Sequence, residues 1–325
     1  MNTLTIRTTP ASSETLAKRA EAMLQVEELC KAQVQWYQTA TVAEYRRMRA
    51  EGIGFPKPSL YEGARTVTLA GRHGHDIQLR VIQAQTTSKG VLLHFHAGGF
   101  VIGSSKSYDN YLVHLSKVLE LSVVSVEYRL APEHPYPAAH NDAVDAAMFA
   151  LTPEGEARLG GPLRILAGES AGGYLATWAA MELRRRGPGS GSSQVAAVIA
   201  SYPIYDLTYT PSCLNHAREA VLSSEGMKNF VDAAFPNVPP EQRRHPDLSL
   251  LYADLKGLPP ALFLCGTEDP LVDDSAFMAA RWSLAGNEAE LSLVPGAWHA
   301  FTLIPSGEVT DEGLAEIVSF ARKHL

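Results

Sequence analysis

Apolar residues follow two rhythms along the chain. Over residues 13–48 they recur at helical spacing among charges, as at Leu16, Ala20, Met23, Leu24 and Val26, until Pro56-Lys57-Pro58 breaks the pattern. From about 59 to 203, short β-rich runs alternate with helical stretches. Residues 65–69 and 77–82 flank a Gly71–Gly74 turn like a hairpin. Residues 91–95, 123–126, 163–167 and 195–201 read as buried strands. Residues 141–151 and 171–186 read as helices, the second stopped by Gly187-Pro188-Gly189 and a flexible loop over 190–194. Apolar strands alternating with helices predict a mainly parallel sheet covered on both faces.

The rhythm breaks over residues 204–256, which are polar, aromatic and punctuated by proline, with a helical patch at 224–235. Strand signals resume at 261–265 and 290–294, followed by a closing helix over 309–324. The expected organisation is one α/β core in two parts, 59–203 and 257–325. An insertion at 204–256 and an N-terminal helical segment at 1–58 would form a cap.

Bulk composition narrows the function. Of 325 residues, 46% are hydrophobic and 19% charged, enough for a large core, and the formal charge is −7. That balance disfavours nucleic acid or an anionic membrane as partner. The basic run Arg184-Arg185-Arg186 falls at a helix end, where cations complement the dipole. No apolar stretch reaches the roughly 18 residues of a membrane span. Residues 1–20 lack a secretory pattern, and Cys30, Cys213 and Cys265 have no disulfide or CxxC spacing. A cytoplasmic protein with reduced thiols is expected.

Gly168-Glu169-Ser170-Ala171-Gly172 is a G-x-S-x-G segment between a predicted strand and a predicted helix. A nucleophilic serine in so sharp a turn needs near-absent flanking side chains, and the following helix aims free N–H groups at the reaction centre. After the strand 91–95 comes His96-Ala97-Gly98-Gly99-Phe100. Gly98, Gly99 and Ala171 are the candidate oxyanion donors, and His96 is expected to brace the loop rather than act as base. Beyond Ser170, only His299 follows a core strand through a glycine loop, which makes it the candidate base. The acid should follow the strand 261–265. Asp269, thirty residues before His299, is preferred and Glu268 is the alternative. Asp273 and Asp274 are expected to cap the next helix. Nothing pairs this acidic cluster with histidine or cysteine, so no metal is expected.

These segments, with Glu127-Tyr128-Arg129-Leu130-Ala131-Pro132-Glu133-His134-Pro135-Tyr136-Pro137, Asp269-Pro270-Leu271 and Trp298-His299-Ala300-Phe301, resemble the hormone-sensitive-lipase-like α/β-hydrolases, the bacterial family IV esterases. The resemblance implies an eight-stranded, mostly parallel sheet with a helical cap, and ester hydrolysis without a cofactor. It implies Ser170, Asp269 and His299 as triad and Gly98, Gly99 and Ala171 as oxyanion donors. A homodimer through the last strand and helix 309–324 is also implied. Two positions depart from the family pattern: Ala97 replaces a glycine, and Glu169 stands where aspartate is common. Glu169 could orient the oxyanion loop, bind Arg129 or raise the pKa of His299, or else be solvated.

Phe100, Tyr174, Tyr202, Tyr205, Met227 and Phe230 are candidates for the pocket wall, although aromatic residues at such spacing are often core. The expected substrate is a small ester with a short or medium acyl chain, or an aryl ester. An amidase or deacetylase on the same triad, and a non-catalytic receptor on this fold, are the rival readings. A complete triad argues against the receptor. An interfacial lipase would need a long apolar lid, which is not visible.

Overall fold

In this computed structural model, residues 3–186 and 195–325 are described; the glycine stop and loop expected over 187–194 lie outside them. The strands are β1 (Leu4–Thr8), β2 (Arg65–Ala70), β3 (Asp76–Ile82), β4 (Val91–Phe95), β5 (Ser122–Glu127), β6 (Leu163–Glu169), β7 (Ala197–Ser201), β8 (Ala261–Gly266) and β9 (Ala289–Val294). They form one sheet in the order β1-β9-β8-β7-β6-β4-β5-β3-β2. β3 runs antiparallel to both β2 and β5, and every other pairing is parallel. The central strands β4 and β6–β8 are apolar almost throughout, as strands buried on both faces must be.

The helices are α1 (Ser13–Lys31), α2 (Val42–Glu51), α3 (Asp109–Leu119), α4 (Ala138–Ala150), α5 (Pro153–Leu159), α6 (Ala171–Arg185), α7 (Pro211–Leu214), α8 (Ser224–Ala234), α9 (Val272–Leu284) and α10 (Glu308–His324). One core lies between the sheet and α4, α6 and α9, and a second lies under α1, α3 and α10. Among the described residues no helix is long and apolar enough to cross a membrane. The three cysteines are unpaired.

Four expectations change. The sheet has nine strands rather than eight, because the first residues are not helical. Leu-Thr-Ile-Arg-Thr pairs in register with β9 from Leu4↔Ala289 to Thr8↔Leu293, and Arg7 pairs with Glu290 at 2.5 Å. β1 therefore covers the edge of β9 that the expected dimer would use. The N-terminal helix also divides: α1 ends at Lys31, and a short 3₁₀ turn (Trp36–Gln38) leads to α2. Three helices had no sequence expectation, α3, α5 and the short α7, although Leu112, Leu115 and Leu119 of α3 carry helical spacing.

Asp273 and Asp274 do not cap α9, whose N-cap is Leu271. They hold the segment that leaves the sheet after β7. Asp274 Oδ1 accepts the N–H groups of Tyr205 (2.6 Å) and Asp206 (2.8 Å), its Oδ2 bonds the Thr210 hydroxyl at 2.7 Å, and Asp273 accepts the Ser212 N–H. The same segment is pinned at its far end. Arg184 donates to the Lys256 carbonyl, and Arg185 bridges Glu182 and Asp247. The basic run thus does more than complement the dipole of α6.

Burial pushes the Asp274 carboxyl up to about 7, against the pull of its three donors. A carboxyl that keeps its proton longer in the fold than in the unfolded chain stabilises fully at acid pH. That contribution is lost as pH rises through about 7. Asp274→Asn preserves the shape and the Oδ1 bonds but cannot ionise. Wild-type melting temperature should fall more steeply than that of Asp274→Asn between pH 5 and pH 8. Parallel curves would show that Asp274 does not titrate in this range.

Candidate active site

The site stands on the C-terminal ends of β4, β6, β8 and β9, where loops from neighbouring parallel strands converge. Ser170 follows β6 at φ 54°, ψ −119°, a conformation that non-glycine residues rarely hold. The reason for the flanking glycines is steric. A Cβ on Gly172 would lie 1.9 Å from the Phe95 carbonyl oxygen, and one on Gly168 would lie 2.4 Å from the backbone of Gly172. The turn is held by the Ser170 N–H donating to the Ser201 carbonyl at 2.9 Å.

His299 Nε2 lies 3.1 Å from Ser170 Oγ, and its Nδ1 lies 2.9 and 3.1 Å from the two oxygens of Asp269. All three residues are buried. Asp269 Oδ1 also accepts the Leu271 N–H at 2.8 Å, which fixes the carboxylate plane. A proton on Nδ1 shared with Asp269 leaves Nε2 as the acceptor facing the serine. Glu268 does not join this chain: its half-exposed side chain turns toward Arg218, at 3.6 Å. A Cβ on Gly266 would lie 2.1 Å from the Ala297 carbonyl, so the acid and histidine loops meet only because that residue is glycine.

The loop after β4 faces the serine with Gly98 at φ 128° and Gly99 at φ 59°. The Gly98 carbonyl accepts from Val101 and Ile102, which closes the turn, and neither glycine N–H is used by another group among the described residues. The Ala171 N–H stands at the start of α6, directly after Ser170. His96 contacts the loop through its ring. Its Nδ1–H donates to the Ala97 carbonyl at 2.8 Å, and its ring stacks on Tyr128 at 4.1 Å. Burial pulls its pKa down to about 4, so it carries no charge near neutral pH. An unforeseen strut comes from α2: Arg46 donates to the carbonyls of Val101 (2.8 Å) and Ala131 (2.6 Å) and pairs with Glu133.

Glu169 is neither solvated nor paired with Arg129, which instead grips Asp142 with both sides of its guanidinium. One Glu169 oxygen accepts from His94 Nε2 at 2.8 Å, the other from the Tyr111 hydroxyl at 2.9 Å. His94 Nδ1 in turn bonds Ser125 at 2.9 Å. The carboxylate therefore ties β6 to β4, β5 and α3 directly beneath the nucleophile.

The proposed pocket residues separate by environment. Tyr174 and Tyr205 are core: their hydroxyls bond the Leu248 carbonyl and Thr177, respectively. Phe100 is packed among His140, Tyr174 and Phe235, and Met227 lies on the buried face of α8. Tyr202 sets its ring edge against His299 at 5.0 Å and bonds Thr302, so it packs against the histidine. Phe230 packs from α8 against Gly99, where a Cβ would come within 2.3 Å of its ring. The residue behind it, Trp36, was not a sequence candidate. It stacks on Phe230 at 5.2 Å from the 3₁₀ turn, a contact nearly two hundred residues apart that no local pattern signals.

Residues 92–303 match the sequence model of a family described as having the alpha/beta hydrolase fold. The chain is 32% identical over 271 residues to an ethyl acetate hydrolase of Pseudomonas putida, covering 80% of this chain and 82% of that one. It is also similar to the solved hyperthermophilic esterase of Pyrobaculum calidifontis, at a TM-score of 0.81 and 28% identity, covering 97% and 99% of the two chains. An esterase described as from the bacterial hormone-sensitive lipase family matches at a TM-score of 0.76 and 28% identity, covering 97% and 99%. A carboxylic ester hydrolase on this sheet, with its serine in a G-x-S-x-G elbow, belongs to the α/β-hydrolase superfamily, and this chain is a member of its hormone-sensitive-lipase-like, family IV branch.

Proposed function

We propose that this carboxylesterase acts on small esters through an acyl-enzyme on Ser170, with His299 as base and Asp269 as the acid that orients it. The observation that carries the reading is the hydrogen-bonded chain Ser170 Oγ–His299 Nε2–Asp269, at 3.1 and 2.9 Å, with its serine in a strained elbow. His299 Nε2 takes the Oγ proton as the serine attacks the ester carbonyl. The carbonyl oxygen becomes an oxyanion against the N–H groups of Gly98, Gly99 and Ala171, each contributing about 2.7–4 kcal/mol to the transition state. The imidazolium, stabilised by Asp269, passes its proton to the departing alcohol. Water then repeats the sequence on the acyl-enzyme, with His299 again the base.

Segments 1–58 and 204–256 act together as the cap in this reading. They meet over the site through Trp36 and Phe230, and again where the Glu219 N–H donates to Glu27. The first segment is a strand followed by helices rather than helical throughout. Glu169 serves as a positioning group for the elbow.

Ser170→Ala should abolish release of p-nitrophenol from p-nitrophenyl acetate while leaving the circular dichroism spectrum and melting curve intact. Near-wild-type turnover in that variant would remove Ser170 from the mechanism. Asp269→Asn should lower kcat by about 10³- to 10⁴-fold, since the wrong histidine tautomer is then favoured. Glu268→Gln should cost less than tenfold. A reversed order of these two variants would transfer the acid to Glu268.

A further inference from the structure

We propose that His216, in the stretch of the insertion that crosses the catalytic acid turn, selects the leaving group and favours esters of diols and polyols by bonding a second hydroxyl on the alcohol. This rests on the assignment of Ser170, Asp269 and His299 given above.

The chain is anchored to the acid turn on both sides of His216. Before it, the Thr210 hydroxyl bonds Asp274 at 2.7 Å. Ser212 Oγ donates to the Pro270 carbonyl at 2.7 Å, and the Ser212 N–H donates to Asp273 at 2.8 Å. After it, Arg218 Nε lies 3.6 Å from Glu268, the residue preceding Asp269, and the Glu219 N–H donates to Glu27 of α1 at 3.3 Å. The His216 carbonyl itself accepts from Ser224 at the start of α8, at 3.2 Å. The residues between these anchors must therefore span the turn that carries Asp269. His216 stands among them, half-buried, and the charges its ring feels are those of Asp269, His299, Arg218 and Glu268.

The triad does not use this imidazole. Asp269 and His299 are bonded to each other, and His299 to Ser170, without it. Among the described residues the His216 side chain has no hydrogen bond; only its carbonyl is engaged. Burial lowers its pKa below the ordinary 6.5; the Asp269 carboxylate opposes that and His299 reinforces it. The ring is therefore neutral near pH 7, with one N–H donor and one nitrogen acceptor.

The leaving oxygen begins at His299 Nε2, which must protonate it, and the rest of the alcohol extends from there. Tyr202, the aromatic neighbour of His299, offers it nothing polar: its ring is fully buried and its hydroxyl is taken by Thr302. His216 offers an open donor and an open acceptor. An alkyl chain laid against them would displace water from both nitrogens and return no bond. A hydroxyl a short way along the alcohol replaces that water.

The test uses the full chain and two pairs of esters matched in size: 2-hydroxyethyl against propyl acetate, and 3-hydroxypropyl against butyl acetate, with kcat/KM followed by release of acetate. In the wild type the hydroxylated ester of at least one pair should lead by about fivefold or more, the worth of one neutral hydrogen bond. His216→Phe keeps a ring without donor or acceptor and should lower that ratio by about fivefold. His216→Gln keeps both functions and should retain most of the preference. Each readout is a ratio within one variant, so a general loss of activity or of folded protein does not imitate the effect. The electronic influence of the added hydroxyl cancels between variants. Wild-type ratios near one in both pairs, or a His216→Phe ratio equal to the wild-type ratio, would overturn the proposal. Absence of wild-type turnover on every ester would instead strike the catalytic assignment on which it rests.

Discussion

The site depends on one close crossing of backbones. The first turn of α6 passes so near the end of β4 that the Phe95 carbonyl leaves no space for a side chain on Gly172. That crossing forces Ser170 into a positive-φ turn and brings the start of α6 beside the loop that carries Gly98 and Gly99. Ser170 and the glycine loop are therefore positioned by the same contact. Strain of this kind costs of order 1–3 kcal/mol and persists only where the surroundings over-determine it. Here the surroundings are explicit: the Ser201 carbonyl above, and the Glu169–His94–Ser125 chain below.

The N-terminal region is tied to the loops around Ser170. Arg46 of α2 holds the oxyanion loop through two carbonyls. Arg19 of α1 holds the histidine loop, donating to the Pro295 carbonyl at 2.6 Å and pairing with Glu312 at 2.5 Å. Each arginine is fixed at several points, so its planar group transmits helix position to a catalytic loop. Asp274 performs the corresponding task for the segment between β7 and β8, from a helix adjacent to the Asp269 turn. The N-terminal helices and the loops around Ser170 are thus joined by part-buried polar bonds as well as by apolar packing.

Local patterns made the core strands β2–β9 legible, with ends within two residues, because the central strands are apolar almost throughout and β2 and β3 alternate apolar and polar residues about a glycine turn. β1 was not legible. Five residues alternating with threonine carry little signal, and they form a strand only because β9 offers an open edge in parallel register. The acidic run 268–274 shows the same limit inside the site. Its residues look interchangeable as a string, yet Glu268 faces Arg218, Asp269 faces His299, and Asp273 and Asp274 face the segment after β7.

The sequence by itself determined the parallel α/β core, the elbow serine, its histidine and the glycine loop. Those features are dictated by steric needs that act within a few residues: glycine at a tight turn, apolar runs in a buried strand, and a loop following each strand. Tertiary structure alone decided which of two neighbouring carboxylates meets His299, what Glu169 binds, and which aromatic residue reaches Gly99. Those outcomes depend on side-chain direction and on contacts across 75 residues for Glu169 and His94, or nearly 200 for Trp36 and Phe230. No local pattern encodes such distances, since the contacts form only once the whole sheet has brought its loops to one end.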